Sequence, residues 1–289
     1  MSQPDYVAPT NVDAAVAALA GASARALSGG TDLLVQLRAG RAKPSTIVDL
    51  KSVPGAVGVR RSPDGGFVIG GATAAAVLGE DLALRGAWPG VVEAANLIGS
   101  TQVQGRASLA GNLCNASPAA DSVPALVAAR AVAVVAGPSG RREVPVEAIC
   151  VAPGRTSLAV GEFVLEIKLP PRPPRSSDAY LRFIPRTEMD IAVAGVGVNL
   201  TLDENGRVAQ AHVGVGAVAP TVLLVADAGR ALVGSVLEAA SLAAMVVAVR
   251  AACRPISDKR GSAAFRTQIA GVLAQRAAII AFSRARERA

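Results

Sequence analysis

Residues 26–40 read "ALSGGTDLLVQLRAG". A short apolar run enters a pair of glycines, two small polar residues follow, and an apolar-periodic segment begins. The pattern predicts a strand, a tight turn and a helix. Gly29 and Gly30 let the backbone adopt positive φ or approach a neighbour closely. Successive backbone N–H groups in such a turn can form an anion-binding nest. Thr31 and Asp32 then stand where they could bond phosphate or ribityl oxygens. The motif is neither G-x-G-x-x-G nor a Walker loop, and an ordinary turn explains it equally well when taken alone.

A second stretch, "TQVQGRASLAGNLCNASPAAD" (101–121), changes that balance. Its small and polar residues include Ser108, Ala110, Gly111, Asn112, Asn115, Ser117 and Asp121. Such residues supply hydrogen-bonding groups without filling the space that an extended, phosphorylated cofactor needs. Two cradles in one chain suit a dinucleotide better than a single phosphate.

Working outward, "PTNVDAAVAAL" predicts a short helix capped at Thr10, with Asp13 in its first turn. "STIVDL" reads as a buried strand, and "VGVRRSPDGGFVIGGAT" as two strands around a Pro-Asp-Gly-Gly turn. "WPGVVEAANLIGS" reads as a helix, "VPALVAARAVAVVAG" as a helix entering a strand, and "GEFVLEIKLP" as a strand. Pro170, Pro171, Pro173 and Pro174 mark the clearest boundary. Beyond it, "IAVAGVGVNLTLDENGRVAQAHVGVGAV" predicts a hairpin turning at Asn205-Gly206, followed by helices over about 235–252 and 262–286. The expected domains are 1–172, divided near residue 55 into subdomains 1–55 and 56–172, and 178–289.

The chain has 289 residues, 51% hydrophobic and 18% charged, enough to bury a full core. Its net charge is +7. The excess lies at the end: residues 250–289 hold nine basic residues against Asp258 and Glu287. A solvated helix face or a protein interface accounts for that charge. Nucleic acid is disfavoured, because aromatics are only 3% and no recognised motif accompanies the charge. Cys114, Cys150 and Cys253 are scattered, with no C-x-x-C, so spacing indicates no zinc or iron–sulfur set. The sparse count fits a reducing compartment. No signal peptide or bilayer-length apolar run is visible, so the expectation is a soluble, cytoplasmic protein, with peripheral membrane association left open. His212, the single histidine, sits in a strand-like run and reads as structural.

"LSGGTDLL", "VIGGAT", "TQVQGRASLAGNLCNASPAADSVPALVA" and "RTEMDIAVAGVGV" together resemble the FAD-binding medium subunit of the molybdenum hydroxylases, the xanthine dehydrogenase and aerobic carbon monoxide dehydrogenase family. The resemblance runs nearly full length, through "PISDKRGSAAFRTQIAGVLAQRA". It implies an α+β chain: a two-subdomain FAD-binding domain similar to that of vanillyl-alcohol oxidase, then a C-terminal α+β domain with an antiparallel sheet. It assigns the FAD pyrophosphate to Ser28-Gly29-Gly30-Thr31-Asp32, flanked by Ala26, Leu27 and Leu33. It places Ser108, Ala110, Gly111, Asn112 and Asp121 around ribityl and phosphate groups, and Ile98 and Gly99 at the flavin. Val164 and Arg182 line the cofactor, and Ile191 lies beside the isoalloxazine ring. Asp190, nearby, reads either as a surface charge or as a residue at the flavin edge.

The chain departs from the family at three of these positions. Ala110-Gly111-Asn112 stands where Gly-Gly-Asn is usual. Ile191 replaces a common Tyr or Phe, and Arg182 stands where a lysine is found. Asp32 keeps a second reading as a helix cap, and Cys114 reads as a small neighbour of the cofactor.

The implied function is non-catalytic in its own side chains. FAD, held non-covalently, passes electrons from 2Fe-2S clusters on a small partner to NAD, a quinone or another acceptor, while a molybdenum cofactor on a large partner oxidises the substrate. The expected assembly is a dimer of heterotrimers, with the basic C-terminal helix as a candidate contact surface. No metal is expected on this chain; relatives with an extra four-iron cluster here need a four-cysteine insertion. The rivals are a self-contained FAD-dependent oxidoreductase and a non-enzymatic nucleotide-binding protein.

Overall fold

The computed structural model describes residues 3–21 and 23–288. The chain opens with β1 (Asp5–Val7), α1 (Val12–Leu19), β2 (Ala24–Leu27), α2 (Leu33–Arg38) and β3 (Thr46–Asp49). The strands form a parallel sheet in the order β1-β3-β2, with Leu27 in register with Asp49. Helix α1 buries Ala15 and Leu19, one turn apart, against it. Its N-cap is Asn11, not the expected Thr10: the Asn11 side chain accepts from the Ala14 N–H at 2.8 Å from an extended backbone. Asparagine is also the stronger cap residue.

The next unit contains β4 (Val59–Arg61), β5 (Phe67–Gly70), α3 (Ala75–Glu80), α4 (Leu82–Ala87), α5 (Pro89–Ala95), α6 (Thr101–Gln104), α7 (Leu109–Cys114), α8 (Ser122–Ala128), β6 (Val132–Gly137), β7 (Gly140–Pro145), β8 (Cys150–Ala152), β9 (Arg155–Thr156) and β10 (Phe163–Leu169). Five of its strands form an antiparallel sheet in the order β4-β5-β10-β6-β7, and β8 pairs with β9. Every residue of α8 is buried, which is why "SVPALVA" carries no amphipathic pattern.

After the proline segment come β11 (Ser176–Phe183), β12 (Ala194–Leu202), β13 (Val208–Gly216), β14 (Leu223–Leu224), α9 (Ala226–Arg230), α10 (Ala239–Ala252) and α11 (Ala263–Arg286). The strands form an antiparallel sheet in chain order. The β12–β13 turn holds Gly206 at φ +73, and Asp203 accepts from the Asn205 and Arg207 N–H groups. Helix α10 begins four residues later than the sequence suggested. Leu237 stands at φ +60 and Glu238 is extended, so the chain becomes helical only at Ala239.

Glycine and valine alternate along "AVAGVGVNL" because the two faces of this sheet have different neighbours. Val196, Val198, Val213 and Val215 share a core with α10 and α11. On the opposite face, Gly197 pairs with Gly214. A Cβ at either position would meet the Pro124 carbonyl oxygen, at 2.7 Å and 2.2 Å respectively. Helix α8 therefore rests directly on sheet backbone.

The linker is bolted as well. Arg172 stacks 3.5 Å from the Trp88 ring centroid and donates to the Ala87 carbonyl, Asn199 and Asp178. Part of the basic C-terminal excess is engaged inside the chain: Arg284 pairs with Glu93, and Arg288 donates to the Ala87 and Ser176 carbonyls at 3.2 Å. Among the described residues no helix is long and apolar enough to cross a membrane.

Candidate functional site

A cleft of about 710 Å³ runs between the parallel sheet and the antiparallel five-stranded sheet. One wall is continuous from Ala26 through Leu33; the others carry Ile98, Ser108, Ala110, Gly111, Asn112 and Val164. Both glycine-turn and second-stretch candidates thus face one space. The sequence reading missed further lining from Gly71, Gln36, Arg41, Lys43 and the segment Leu158–Phe163.

The two cradles are fastened to each other. Ser28 Oγ and Ser108 Oγ lie 2.7 Å apart, and Ser108 Oγ also accepts from the Gly111 N–H at 3.1 Å. Gln36 Nε2 of α2 donates to Asn115 Oδ1 beyond α7 at 3.2 Å. A Cβ on Gly29 would sit 1.7 Å from the Arg106 carbonyl oxygen, so only glycine lets the backbones abut there. Gly30 stands at φ +80, a left-handed conformation that side chains disfavour. Ser108 caps α7, and Gly111 lies too close to its hydroxyl for a comfortable Cβ, 3.0 Å.

The turn leaves polar groups unpaired. None of the N–H groups from Gly29 through Leu33 donates to another described residue. Gly29, Gly30, Thr31 and Leu33 are half-buried and Asp32 is exposed, and the donors at the start of α2 have no intrahelical partner, as in any helix. Five consecutive donors open to one cleft suit an acceptor-rich, anionic ligand. Asp32 makes no capping bond to α2, which removes the helix-cap reading of its side chain. It keeps solvent access, yet partial desolvation by the cleft walls raises its carboxyl above the ordinary range.

Asp121 lies behind the wall rather than on it. Burial raises its carboxyl to about 6, against the lowering effect of Arg182. Arg182 pairs with Oδ2 at 2.9 Å, while the buried Oδ1 has no hydrogen-bond partner. Asn112, which lines the cleft, accepts from Ser122 N and Oγ at 3.1 and 2.7 Å. Gly99, at φ +62, adjoins Ile98 without lining the cleft.

Ile191 is half exposed on the loop between β11 and β12, away from the cleft wall. Asp190 beside it accepts from Arg186 and Arg260, and the Arg186 bond leads in lowering its carboxyl to about 2. It clasps its own loop and ties it to the segment between α10 and α11. Burial, with Cys150 nearby, pushes the Cys114 thiol up to about 12, so it stands in the cleft wall as a neutral thiol and not a nucleophile. His212 lies on β13 outside the cleft, and burial lowers its pKa. Among the described residues, no three His, Cys, Asp or Glu side chains gather into a metal-binding group.

A two-lobed N-terminal half holding a donor-lined cleft, joined to an antiparallel sheet with two long helices, is the architecture of a protein that binds an extended, anionic ligand. Comparison with known proteins gives the particular family. Residues 2–172 match a domain family described as "FAD binding domain in molybdopterin dehydrogenase", and residues 179–281 match "CO dehydrogenase flavoprotein C-terminal domain". The chain is 34% identical to the carbon monoxide dehydrogenase medium chain of Afipia carboxidovorans, over 98% of each chain. It is 30% identical to the putative xanthine dehydrogenase FAD-binding subunit of Escherichia coli K12, over 85% of this chain and 84% of that one. A chain of the reconstituted CO dehydrogenase from Oligotropha carboxidovorans superposes with a TM-score of 0.93 at 31% identity, covering 98% of this chain and 99% of that one. The chain belongs to the FAD-binding medium subunits of the molybdenum hydroxylases.

Proposed function

We propose that this chain is the electron-transfer subunit of a three-component molybdenum hydroxylase. It takes electrons from iron–sulfur clusters on a small partner and delivers them to NAD, a quinone or another external acceptor. The observation that carries the reading is the row of N–H groups from Gly29 to Leu33, unpaired among the described residues, facing a cleft in the domain that matches the FAD-binding family. Bound FAD supplies the ability to accept electrons singly and release them as a pair.

The side chains then have no proton to abstract and no bond to break. Gly29 through Leu33 bind the pyrophosphate by backbone donors, and Ser28 and Ser108 keep the two cradles in register. Val164, Ile98 and Ala110 exclude water from the cofactor. Asp121, held by Arg182, backs the wall of the site from behind. With Cys114 neutral, the cofactor is retained non-covalently.

The substrate is set by the large partner. Two relatives of similar identity to this chain carry names pointing to carbon monoxide and to xanthine, so the identity of this subunit does not select between such substrates. We assign residues 1–172 to FAD and 178–289 to the C-terminal unit, a division supported by the family matches over 2–172 and 179–281, with large and small subunits completing a dimer of heterotrimers.

The test is to purify the chain with its co-purifying partners and alone. Substrate-dependent dye reduction is measured with iron and molybdenum contents. The complex is expected to turn over, and the isolated chain to release intact FAD on heating while failing to oxidise substrate. Substrate oxidation by a metal-free, partner-free preparation would establish a self-contained oxidoreductase instead.

A further inference from the structure

We propose that Lys51 is a positioning residue for the phosphate cradle: it fixes the Ser28–Gly29 peptide so that the Gly29 N–H is aimed into the cleft. The inference rests on the dinucleotide reading of that cleft and assigns a role to a residue outside the glycine turn.

The Lys51 ammonium donates to the Ser28 carbonyl at 3.2 Å. No described peptide is cis, and in a trans peptide the C=O and the following N–H point in opposite directions. Holding the carbonyl on Lys51 therefore turns the Gly29 N–H away from Lys51. That N–H has no acceptor within the described chain, and Gly29 lines the cleft. Without a restraint, a peptide leading into two glycines can rotate at little steric cost. Rotation would present a carbonyl oxygen where the cradle offers a donor, which repels an anion.

Lys51 is itself held in place. Its ammonium lies 2.7 Å from both carboxylate oxygens of Asp49, and its backbone N–H donates to Oδ1 at 3.0 Å. The Tyr6 hydroxyl donates to Oδ2. Asp49 is buried at the end of β3, in register with Leu27, the residue before Ser28. Strand pairing thus carries Lys51 to the back of the turn. Asp49 also cancels most of the ammonium's long-range field, so Lys51 acts through one directed hydrogen bond rather than by attracting phosphate from a distance.

The test uses the full chain freed of flavin and reloaded. In Lys51→Met the FAD dissociation constant, followed by flavin fluorescence, should rise about tenfold or more, the scale of a hydrogen bond to a charged group. The loss should be equal at low and high salt. In a titration with ADP, the Gly29 amide resonance should move strongly in the wild type and little in the variant. Where Lys51→Met does not fold, Lys51→Gln, too short to reach Ser28, carries the same measurements. Wild-type affinity or an undiminished Gly29 shift in a folded variant overturns the proposal. A wild-type chain that takes up no FAD overturns the reading of the cleft itself.

Discussion

The turn at Gly29-Gly30 and the hairpin of β12 and β13 are both glycine-rich, and in both another backbone presses where a side chain would stand. Arg106 abuts Gly29 as Pro124 abuts Gly197 and Gly214. Yet the hairpin is paired residue by residue, Gly195 with Gly216 and Gly197 with Gly214, and its donors belong to the sheet. The turn leaves five consecutive N–H groups without an acceptor among the described residues. Glycine content marks close packing in both regions; unpaired donors mark the ligand-binding one. The comparison predicts that substitutions in the hairpin act on stability and those in the turn act on flavin.

The hairpin should respond most severely. In Gly214→Ala the new methyl would lie 2.2 Å from the Pro124 carbonyl, a fixed backbone atom. Overpacking of this kind costs about 3 kcal/mol. The urea midpoint should fall accordingly. A variant as stable as the wild type would show that α8 does not rest on this backbone.

In the turn, Gly30→Val should fold but lose flavin. A Cβ there meets only the flexible ends of Leu27 and Leu34, at 3.0 and 3.2 Å. The positive φ costs about 1–2 kcal/mol for a residue with a side chain. Relaxing that φ disperses the N–H groups, and losing two charge-assisted hydrogen bonds weakens FAD roughly a hundredfold. A folded variant with full occupancy would return this turn to an ordinary one.

Asp121 tests the same division, since it hangs from α8, which the hairpin supports, and stands behind the cleft wall. Its folded pKa is raised, to about 6. The folded state holds the extra proton between the ordinary aspartate value and 6, so stability falls as pH rises through that window and is insensitive to Asp121 below it. In Asp121→Asn that fall in the urea midpoint should vanish, while FAD affinity is unchanged between about pH 5 and pH 7.5. A fall that persists would mean that another buried group titrates there, and a lost FAD affinity would place Asp121 at the cofactor.

Much of the fold was legible because many of its strands are short apolar runs, buried on both faces, and its turns use Asn-Gly, Pro-Asp-Gly-Gly and a proline run. The short β1 and the exposed β7 escaped, being respectively three residues long and polar along most of their length. The cradle residues were readable as types suited to a phosphate. What could not be read was pairing across the sheet. Lys51 reaches Ser28 because β3 lies beside β2, and Arg106 abuts Gly29 because α6 ends there; neither follows from spacing. "LKS" directly after the buried β3 was the available signal, useful only once β2–β3 register is known. Arg182 and Asp121 were named separately, and the fold joined them in one ion pair. Ile191, placed beside the flavin ring by resemblance, stands half exposed on its loop.

The smallest expected effect separates the directed donors of the turn from diffuse charge at its rim. Arg25, Arg41 and Lys43 line the cleft and remain exposed. None of them pairs with an acid among the described residues. Of the acids on the same lining, Glu162 is already held by Arg142, which leaves Asp32. The rim is therefore net positive and attracts the dianionic pyrophosphate through solvent. Charges this exposed act over about a Debye length, roughly 10 Å at 0.1 M salt and 3 Å at 1 M. The Arg41→Ala, Lys43→Ala double variant should weaken FAD by about threefold at low ionic strength, in keeping with surface pairs of under 1 kcal/mol, and not at all at 1 M. Lys51→Met should instead lose the same affinity at both. A salt-insensitive loss in the double variant would mean that Arg41 or Lys43 grips the cofactor directly, and the division between donors that position and charges that attract would have to be redrawn along the cleft.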